Sequence, residues 1–173
     1  MNHRIILETE RTYLRQICTD DFNALSAFLG DTQVMYAWGH SFSDDEVRNW
    51  INENMMRYDR DGYSYWAVIL KDTDMLVGVS GIFTENADEQ AYIGIGYIFS
   101  KAFWHQGFAF ECASACKNYA FDHLRISFLT AQIRPDNIPS KNIADKLGMT
   151  PFKQFNRIYR GESVSHILYG CSK

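Results

Sequence analysis

The sequence predicts an α+β fold, one mixed sheet with helices packed on it, and three observations predict it. Tyr65 to Leu70 and Leu76 to Phe83 are apolar, β-branched runs joined by Lys71-Asp72-Thr73-Asp74, the pattern of an antiparallel hairpin. Gly107 to His123 repeats apolar residues at a helical period and leads into the apolar run Phe128 to Ile133, so strand, helix and strand form a unit long enough for a parallel crossover. The 173 residues, 46% of them hydrophobic, are enough for one sizeable core and too few for two.

The elements follow in order. Between Ile5 and Cys18 the residues Ile5, Leu7, Tyr13, Leu14 and Ile17 suggest a strand interrupted near Glu8 to Glu10. Phe22, Leu25, Phe28 and Leu29 then share one face of a helix that Gly30 ends. Ser43-Asp44-Asp45-Glu46 has capping-box spacing, in which each side chain accepts from the other residue's backbone N–H, and Val47, Trp50, Ile51, Met55 and Tyr58 follow at helical intervals. After the hairpin, Tyr92 to Phe99 continues the meander. Phe108, Cys112, Ala115, Cys116, Tyr119 and Ala120 set the apolar stripe of the long helix, and Phe128 to Ile133 reads as a buried strand. A short helix from about Ile138 to Leu147 ends at Gly148, and strands Phe152 to Tyr159 and Val164 to Tyr169 flank Arg160-Gly161-Glu162. No linker-like stretch or repeat interrupts this order, so residues 1–173 read as a single domain.

Composition excludes several classes. With 22% charged and 15% aromatic residues the chain is not intrinsically disordered. Lys and Arg total 17 against 21 Asp and Glu, a net charge of -4, which lacks the basic excess that nucleic acid requires. Apolar stretches such as Ala67 to Leu70 are too short to span a bilayer, and MNHRIILETER has no signal-peptide pattern, so a soluble, cytoplasmic protein without membrane partner is expected. Cys112 and Cys116 lie four apart with no nearby His pair, which matches no usual zinc spacing; reduced thiols and no metal are expected.

Three segments carry chemistry. Trp104-His105-Gln106-Gly107-Phe108-Ala109 opens the long helix, where backbone N–H groups have no intrahelical partner and can hold an anion. Gly107 permits a sharp turn and close approach, and Ala109 keeps the first turn free of bulk, so a pyrophosphate needs no lysine in this loop; an ordinary strand-to-helix turn is the plainer reading. Ile93-Gly94-Ile95-Gly96-Tyr97 places two glycines in a strand, marking either a bulge with unpaired N–H donors or a close crossing over a large neighbour such as Trp66. In Arg134-Pro135-Asp136-Asn137-Ile138-Pro139-Ser140, at a strand's carboxyl end, Asn137 or Ser140 reads as a helix cap, but a hydroxyl there is also placed to donate a proton to a leaving group.

In this order the segments resemble the Gcn5-related N-acetyltransferase (GNAT) superfamily, closest to its RimJ/RimL-like ribosomal-protein type. The resemblance runs from Leu7-Glu8-Thr9-Glu10-Arg11-Thr12-Tyr13-Leu14-Arg15 through Gly96-Tyr97-Ile98-Phe99 and Trp104 to Glu111, to Pro135 to Ser140 and Lys146-Leu147-Gly148-Met149. It implies a central, mostly antiparallel twisted sheet with one parallel pair splayed at the cofactor site and helices on both faces. It also implies acetyl-CoA as donor, with its pyrophosphate on His105, Gln106, Gly107, Phe108, Ala109 and Phe110 and its pantetheine arm along Tyr97, Ile98 and Phe99. Asn137 matches the position that contacts the arm, and Ser140 the serine assigned to protonate the departing thiolate.

Three departures from the family pattern are visible. Trp104 stands where the loop often has Gln or Arg, Ala144 where many members carry a tyrosine acid, and Gly94 where an acidic residue often precedes the Gly-Tyr pair. An acceptor amine must still lose a proton, and Glu85, Glu162 or an ordered water are open candidates for the base. Cys112, in the first turns of the helix, is a nucleophile by dipole argument and a core residue by its apolar face. Tyr36, Trp38, His40 and Phe42 cluster before the capped helix, either lining the acceptor site or pinning the loop.

The expected activity is acetyl transfer to a primary amine by direct attack in a ternary complex, with a protein or peptide α-amino terminus as acceptor and a monomer or homodimer as the working unit. A small-molecule amine (polyamine, amino acid or antibiotic) is the alternative acceptor. A non-catalytic acyl-CoA sensor is the alternative class.

Overall fold

The computed structural model describes residues 4–173; Met1 to His3, the start of the segment without a signal-peptide pattern, lie outside the described residues. The interrupted first strand is a hairpin: β1 (Ile5–Glu8) pairs antiparallel with β2 (Thr12–Gln16). Its polar tip reverses the chain, with Thr9 N–H donating to the Thr12 carbonyl at 2.9 Å and the two threonine hydroxyls 2.7 Å apart. Polar residues read as an interruption because side-chain hydrogen bonds of this kind compete with a strand ladder.

Helix α1 (Phe22–Leu29) follows a 3-10 turn at Thr19–Asp21, which Arg15 fixes through two bonds to Asp21 of 2.8 and 2.6 Å. Helix α2 (Asp44–Asp61) starts at the predicted capping box, Glu46 N–H donating to Ser43 Oγ at 3.3 Å and Ser43 N–H to Glu46 Oε2 at 2.8 Å. Next come β3 (Tyr65–Leu70), β4 (Leu76–Ala87) and β5 (Gln90–Phe99), an antiparallel meander. Helix α3 (Phe108–Asp122) crosses over to β6 (Phe128–Ile133), which runs parallel to β5. Helix α4 (Ile138–Lys146), β7 (Thr150–Tyr159) and β8 (Glu162–Ser172) complete the chain.

The strands form one eight-stranded sheet in the order β1-β2-β3-β4-β5-β6-β8-β7, antiparallel except for β5 and β6. Alternation in β3 divides the core. Trp66 and Val68 join Ile95, Phe99, Cys112, Cys116, Leu129 and Ala144 under α3 and α4, while Tyr65 and Ala67 join Leu25, Phe28, Val47, Ile51, Val79 and Ile98 under α1 and α2. A strand covered on both faces is apolar throughout, which is why Tyr65 to Leu70 shows no polar alternation.

Two expectations are corrected here. The β4–β5 register is unbroken from Gly78 opposite Phe99 to Ala87 opposite Gln90, so Gly94 and Gly96 mark no bulge, and their close neighbours are Glu85, Tyr65 and Phe83 rather than Trp66. Phe128, expected to be buried with its strand, is 38% exposed. It stacks edge-on against Phe152 at 5.5 Å over Gly170, whose missing side chain makes room for both rings.

Candidate active site

Strands β5 and β6 meet at a single register pair, Gly94 opposite Thr130. Beyond it β5 continues to Phe99 and β6 to Ile133 without pairing, so alternate backbone groups of β5 turn their hydrogen-bonding edge toward a gap in the sheet. Such an edge can bond an extended ligand as another strand would. The splay, not a bulge, frees the donors.

At one end of the gap the chain turns into α3. His105 and Gly107 both have left-handed backbone, φ 60° and 85°, and the first helical bond is Glu111 N–H to the Gly107 carbonyl at 3.0 Å. Among the described residues the N–H groups of His105 to Phe110 find no acceptor in the protein. A left-handed residue followed by a right-handed one makes successive N–H groups converge into an anion-binding concavity. Gly107 supplies that conformation without a Cβ penalty. Trp104 is no part of this nest: its indole N–H donates to the Phe99 carbonyl at 2.8 Å and fixes the end of β5 against the turn.

The face of the sheet under α3 and α4 carries Tyr97 and Phe99, and Ile98 points the other way into the α1–α2 core. Asn137 caps α4, its side-chain oxygen accepting from Ser140 N–H at 3.1 Å. The capping reading therefore holds for Asn137, and the cap uses the Ser140 N–H, not its hydroxyl. Burial pushes the Tyr97 phenol up to about 12, with Ser140 opposing the shift. Ala144, the residue in place of the family's usual tyrosine, is buried in the core and offers no proton.

The opposite face of the gap carries Glu85. It shares that face with Gly94, Gly96 and Ile98, and a Cβ on Gly94 would lie 2.3 Å from Glu85 Oε1. Thr130 Oγ1 lies 3.4 Å from Glu85 Oε1 and 3.1 Å from the Ile93 carbonyl. Among the described residues the partly buried carboxyl has no ion-pair partner, and burial pushes it up to about 8 against the opposing charge of Arg157 and the Thr130 bond. Arg157 is held off it by Gln132 Oε1 at 2.8 Å. A carboxyl with this affinity for protons can take one from an amine near neutral pH.

The aromatic cluster divides. Tyr36 is 41% exposed, and its phenol is near enough to Asp136, Arg134 and the Tyr97 phenol to feel their charge; its carbonyl accepts from Arg134 Nη1 at 3.0 Å. Trp38 and Phe42 pack on the α1–α2 core and pin the loop. His40 is engaged by Glu46 Oε1 at 3.1 Å, which Arg160 Nη2 also reaches at 3.0 Å. Glu162 is exposed at the start of β8, paired with Tyr159. Cys112 is fully buried 3.5 Å from Thr12 Oγ1, and burial pushes its thiol up to about 12, so desolvation overrides the helix dipole. Among the described residues no cluster of His, Cys, Asp or Glu is disposed to hold a metal, and no helix is long and apolar enough to cross a membrane.

Sequence reasoning missed the contacts of Arg11 and Arg157, whose partners Glu111 and Gln132 lie far away in the chain. Arg134 pairs with Asp136 inside the third segment and also reaches the Tyr36 carbonyl, 98 residues away. Arg11 had a visible trace as part of the opening segment Thr9-Glu10-Arg11-Thr12.

A splayed parallel pair with an anion-receptive turn at one end and a carboxyl beside it is an arrangement suited to acyl transfer. Comparison with known proteins agrees. The family described as an acetyltransferase (GNAT) domain matches residues 11–150. YkkB of Bacillus subtilis is 32% identical over 152 residues, 86% of this chain and 87% of that protein. YnaD of Bacillus subtilis, an uncharacterized N-acetyltransferase, is 29% identical over 83% of this chain and 81% of its own length. A GNAT-family acetyltransferase from Bacillus anthracis superposes with TM-score 0.81 at 25% identity, covering 96% of this chain and 97% of that one. RimL, a ribosomal L7/L12 α-N-protein acetyltransferase solved with coenzyme A, shares the fold at TM-score 0.79 and 17% identity, over 98% of both chains. The chain belongs to the GNAT acetyltransferase family.

Proposed function

We propose that the protein acetylates a primary amine from acetyl-CoA in a ternary complex, with the α-amino terminus of a protein or peptide as acceptor. The observation that carries the reading is the opening of the sheet between β5 and β6 beyond the Gly94–Thr130 pair, with the unpartnered N–H groups of the α3 turn near one end and the Glu85 carboxyl beside Thr130 at the other. Acetyl-CoA supplies an activated thioester. The residues fit it, because the unpartnered N–H groups of His105 to Phe110 suit a pyrophosphate and the free edge of β5 at Tyr97, Ile98 and Phe99 suits an amide-bearing arm.

In this reading Glu85 takes a proton from the acceptor ammonium, the β5 edge donates to the developing oxyanion, and Ser140 delivers a proton to the departing sulfur. Holding both substrates at once supplies the positional advantage, with no covalent enzyme intermediate. RimL, which shares the fold, is a protein α-N-acetyltransferase, and that favours a peptide acceptor. A second acceptor class, a small amine, is favoured by the bond from Arg160 at the β7–β8 tip to Glu46 at the start of α2, which would narrow the approach beside Glu85. The four free cysteines suit a reducing compartment, and we place the protein in the cytoplasm.

The test is acceptor-dependent thiol release from acetyl-CoA with peptides of varied N-terminal residue, set beside spermidine and free lysine. Turnover on peptides supports the first acceptor class, and turnover on spermidine or lysine alone supports the second. Coenzyme A binding without turnover on any amine would reduce the protein to a sensor.

A further inference from the structure

The turn at the start of α3 is held by a residue one hundred positions away in sequence, and this inference rests on the reading of that turn as the pyrophosphate site. Arg11, at the β1–β2 tip, donates from its backbone N–H to Glu111 Oε1 at 3.0 Å and from Nε to Glu111 Oε2 at 2.7 Å. Its Nη2 lies 2.6 Å from the same Oε2. The remaining arm of the fork, Nη1, donates to the Gln106 carbonyl at 2.9 Å, and the guanidinium lies over the Phe108 ring, 4.0 Å from its centroid. Among the described residues no other charged side chain hydrogen-bonds to the backbone of His105 to Phe110.

We infer that Arg11 is a positioning residue for coenzyme A, acting through the peptide between Gln106 and Gly107. In a planar trans peptide the C=O and the following N–H point in opposite directions. Drawing the Gln106 carbonyl onto Arg11 therefore turns the Gly107 N–H the other way, into the concavity. The tie thereby fixes the peptide that leads into Gly107, whose own backbone is left-handed at φ 85°. Orientation, not charge, is the contribution. Glu111 already neutralises the guanidinium, so the pair brings almost no net charge to the anion, whereas the planar fork satisfies carboxylate and carbonyl together as an ammonium cannot.

The sign of a charge change separates the two roles. Calorimetry with coenzyme A is compared for the unmodified protein, Arg11→Lys, Arg11→Ala and Glu111→Gln, with pantetheine, which lacks the pyrophosphate, as the second probe followed by ligand-observed NMR. Orientation predicts coenzyme A binding weakened roughly tenfold or more by all three substitutions, the scale of one charge-assisted hydrogen bond, with pantetheine binding unchanged. Glu111→Gln is the decisive arm, because removing a negative charge beside an anion site strengthens binding if charge is what matters. Tighter coenzyme A binding by Glu111→Gln, or full retention by Arg11→Lys, overturns the inference. Equal losses for coenzyme A and pantetheine also overturn it, since a merely weakened fold moves both. If the unmodified protein binds no coenzyme A, the reading of the turn fails first, and that outcome is distinct from the others.

Discussion

The Glu85 carboxylate occupies the space that a side chain at position 94 would need, its Oε1 lying 2.3 Å from where a Cβ on Gly94 would stand. The neighbouring strand β4 thus delivers an acid to the volume that position 94 of β5 leaves empty. Replacing Glu85 by Gln keeps the shape and removes the proton acceptor. The expected result is a fall in kcat of about a hundredfold with coenzyme A affinity retained. Because the base is the ionised form and its pKa is pushed up to about 8, kcat/KM should rise with pH and level off above that value, and the rise should vanish in Glu85→Gln. A variant with the parent's rate and pH profile would remove Glu85 from the chemistry.

The same shift has a stability consequence of fixed sign. Glu85 binds its proton more tightly in the folded chain than at its ordinary value of 4.5, so it contributes stability that is fully present below that pH and lost as pH rises toward about 8. Urea midpoints measured from pH 4.5 to 8 should therefore show a decline in the parent that is shallower in Glu85→Gln. Parallel curves would mean that the carboxyl is not desolvated by the fold.

Gly94 and Gly96 should respond differently to alanine although both lie on one strand face. A Cβ at Gly94 meets the mobile end of Glu85, which can swing away, so Gly94→Ala is expected to fold normally and lose turnover. A Cβ at Gly96 meets the Tyr65 hydroxyl at 2.3 Å and the Phe83 ring at 2.9 Å, both parts of packed rings that stack on each other. Overpacking there costs about 1–3 kcal/mol. Thermal melts should show a lowered Tm for Gly96→Ala and little change for Gly94→Ala, and the reverse order would contradict the packing.

Asn137 and Ser140 separate in the same way. Asn137→Ala removes a cap and should destabilise by about 0.5–2 kcal/mol. Ser140→Ala leaves the cap's acceptor and the Ser140 N–H in place, so it should lower kcat while Tm and coenzyme A affinity stay near the parent's. Unchanged turnover in Ser140→Ala would assign that serine to α4 alone.

How much of this could be read from sequence depended on the distance over which each residue acts. The capping box at Ser43, the β3–β4 hairpin and the helix after Gly107 are local patterns, and they stand where periodicity and turn chemistry put them. The anion nest was readable because its glycine and its helix start are adjacent. The reason for Gly94 was not, since it depends on the cross-strand register that brings Glu85 alongside. Arg11 was hidden for the same reason, its partners being Gln106 and Glu111. The aromatic loop could not be resolved from sequence because Trp38 and Phe42 are as apolar as a binding wall and also pack on the α1–α2 core, while Tyr36 is 41% exposed.

Cys112 tests whether the reaction passes through the enzyme covalently. It lies in the first turns of α3, where the helix dipole favours a thiolate, yet it is fully buried among apolar neighbours and its thiol is pushed up to about 12. Desolvation prevails because the dipole effect is small beside the cost of burying a charge. Thiol reagents applied to the native protein should therefore modify the partly exposed Cys18 and Cys171 and reach Cys112 and Cys116 after unfolding. Cys112→Ala should keep kcat within about twofold while losing some stability to the small cavity. Initial-rate patterns should intersect, as they do when both substrates must be bound before either product leaves. Parallel, ping-pong patterns abolished by Cys112→Ala would establish an acetyl-cysteine intermediate and overturn direct attack in a ternary complex.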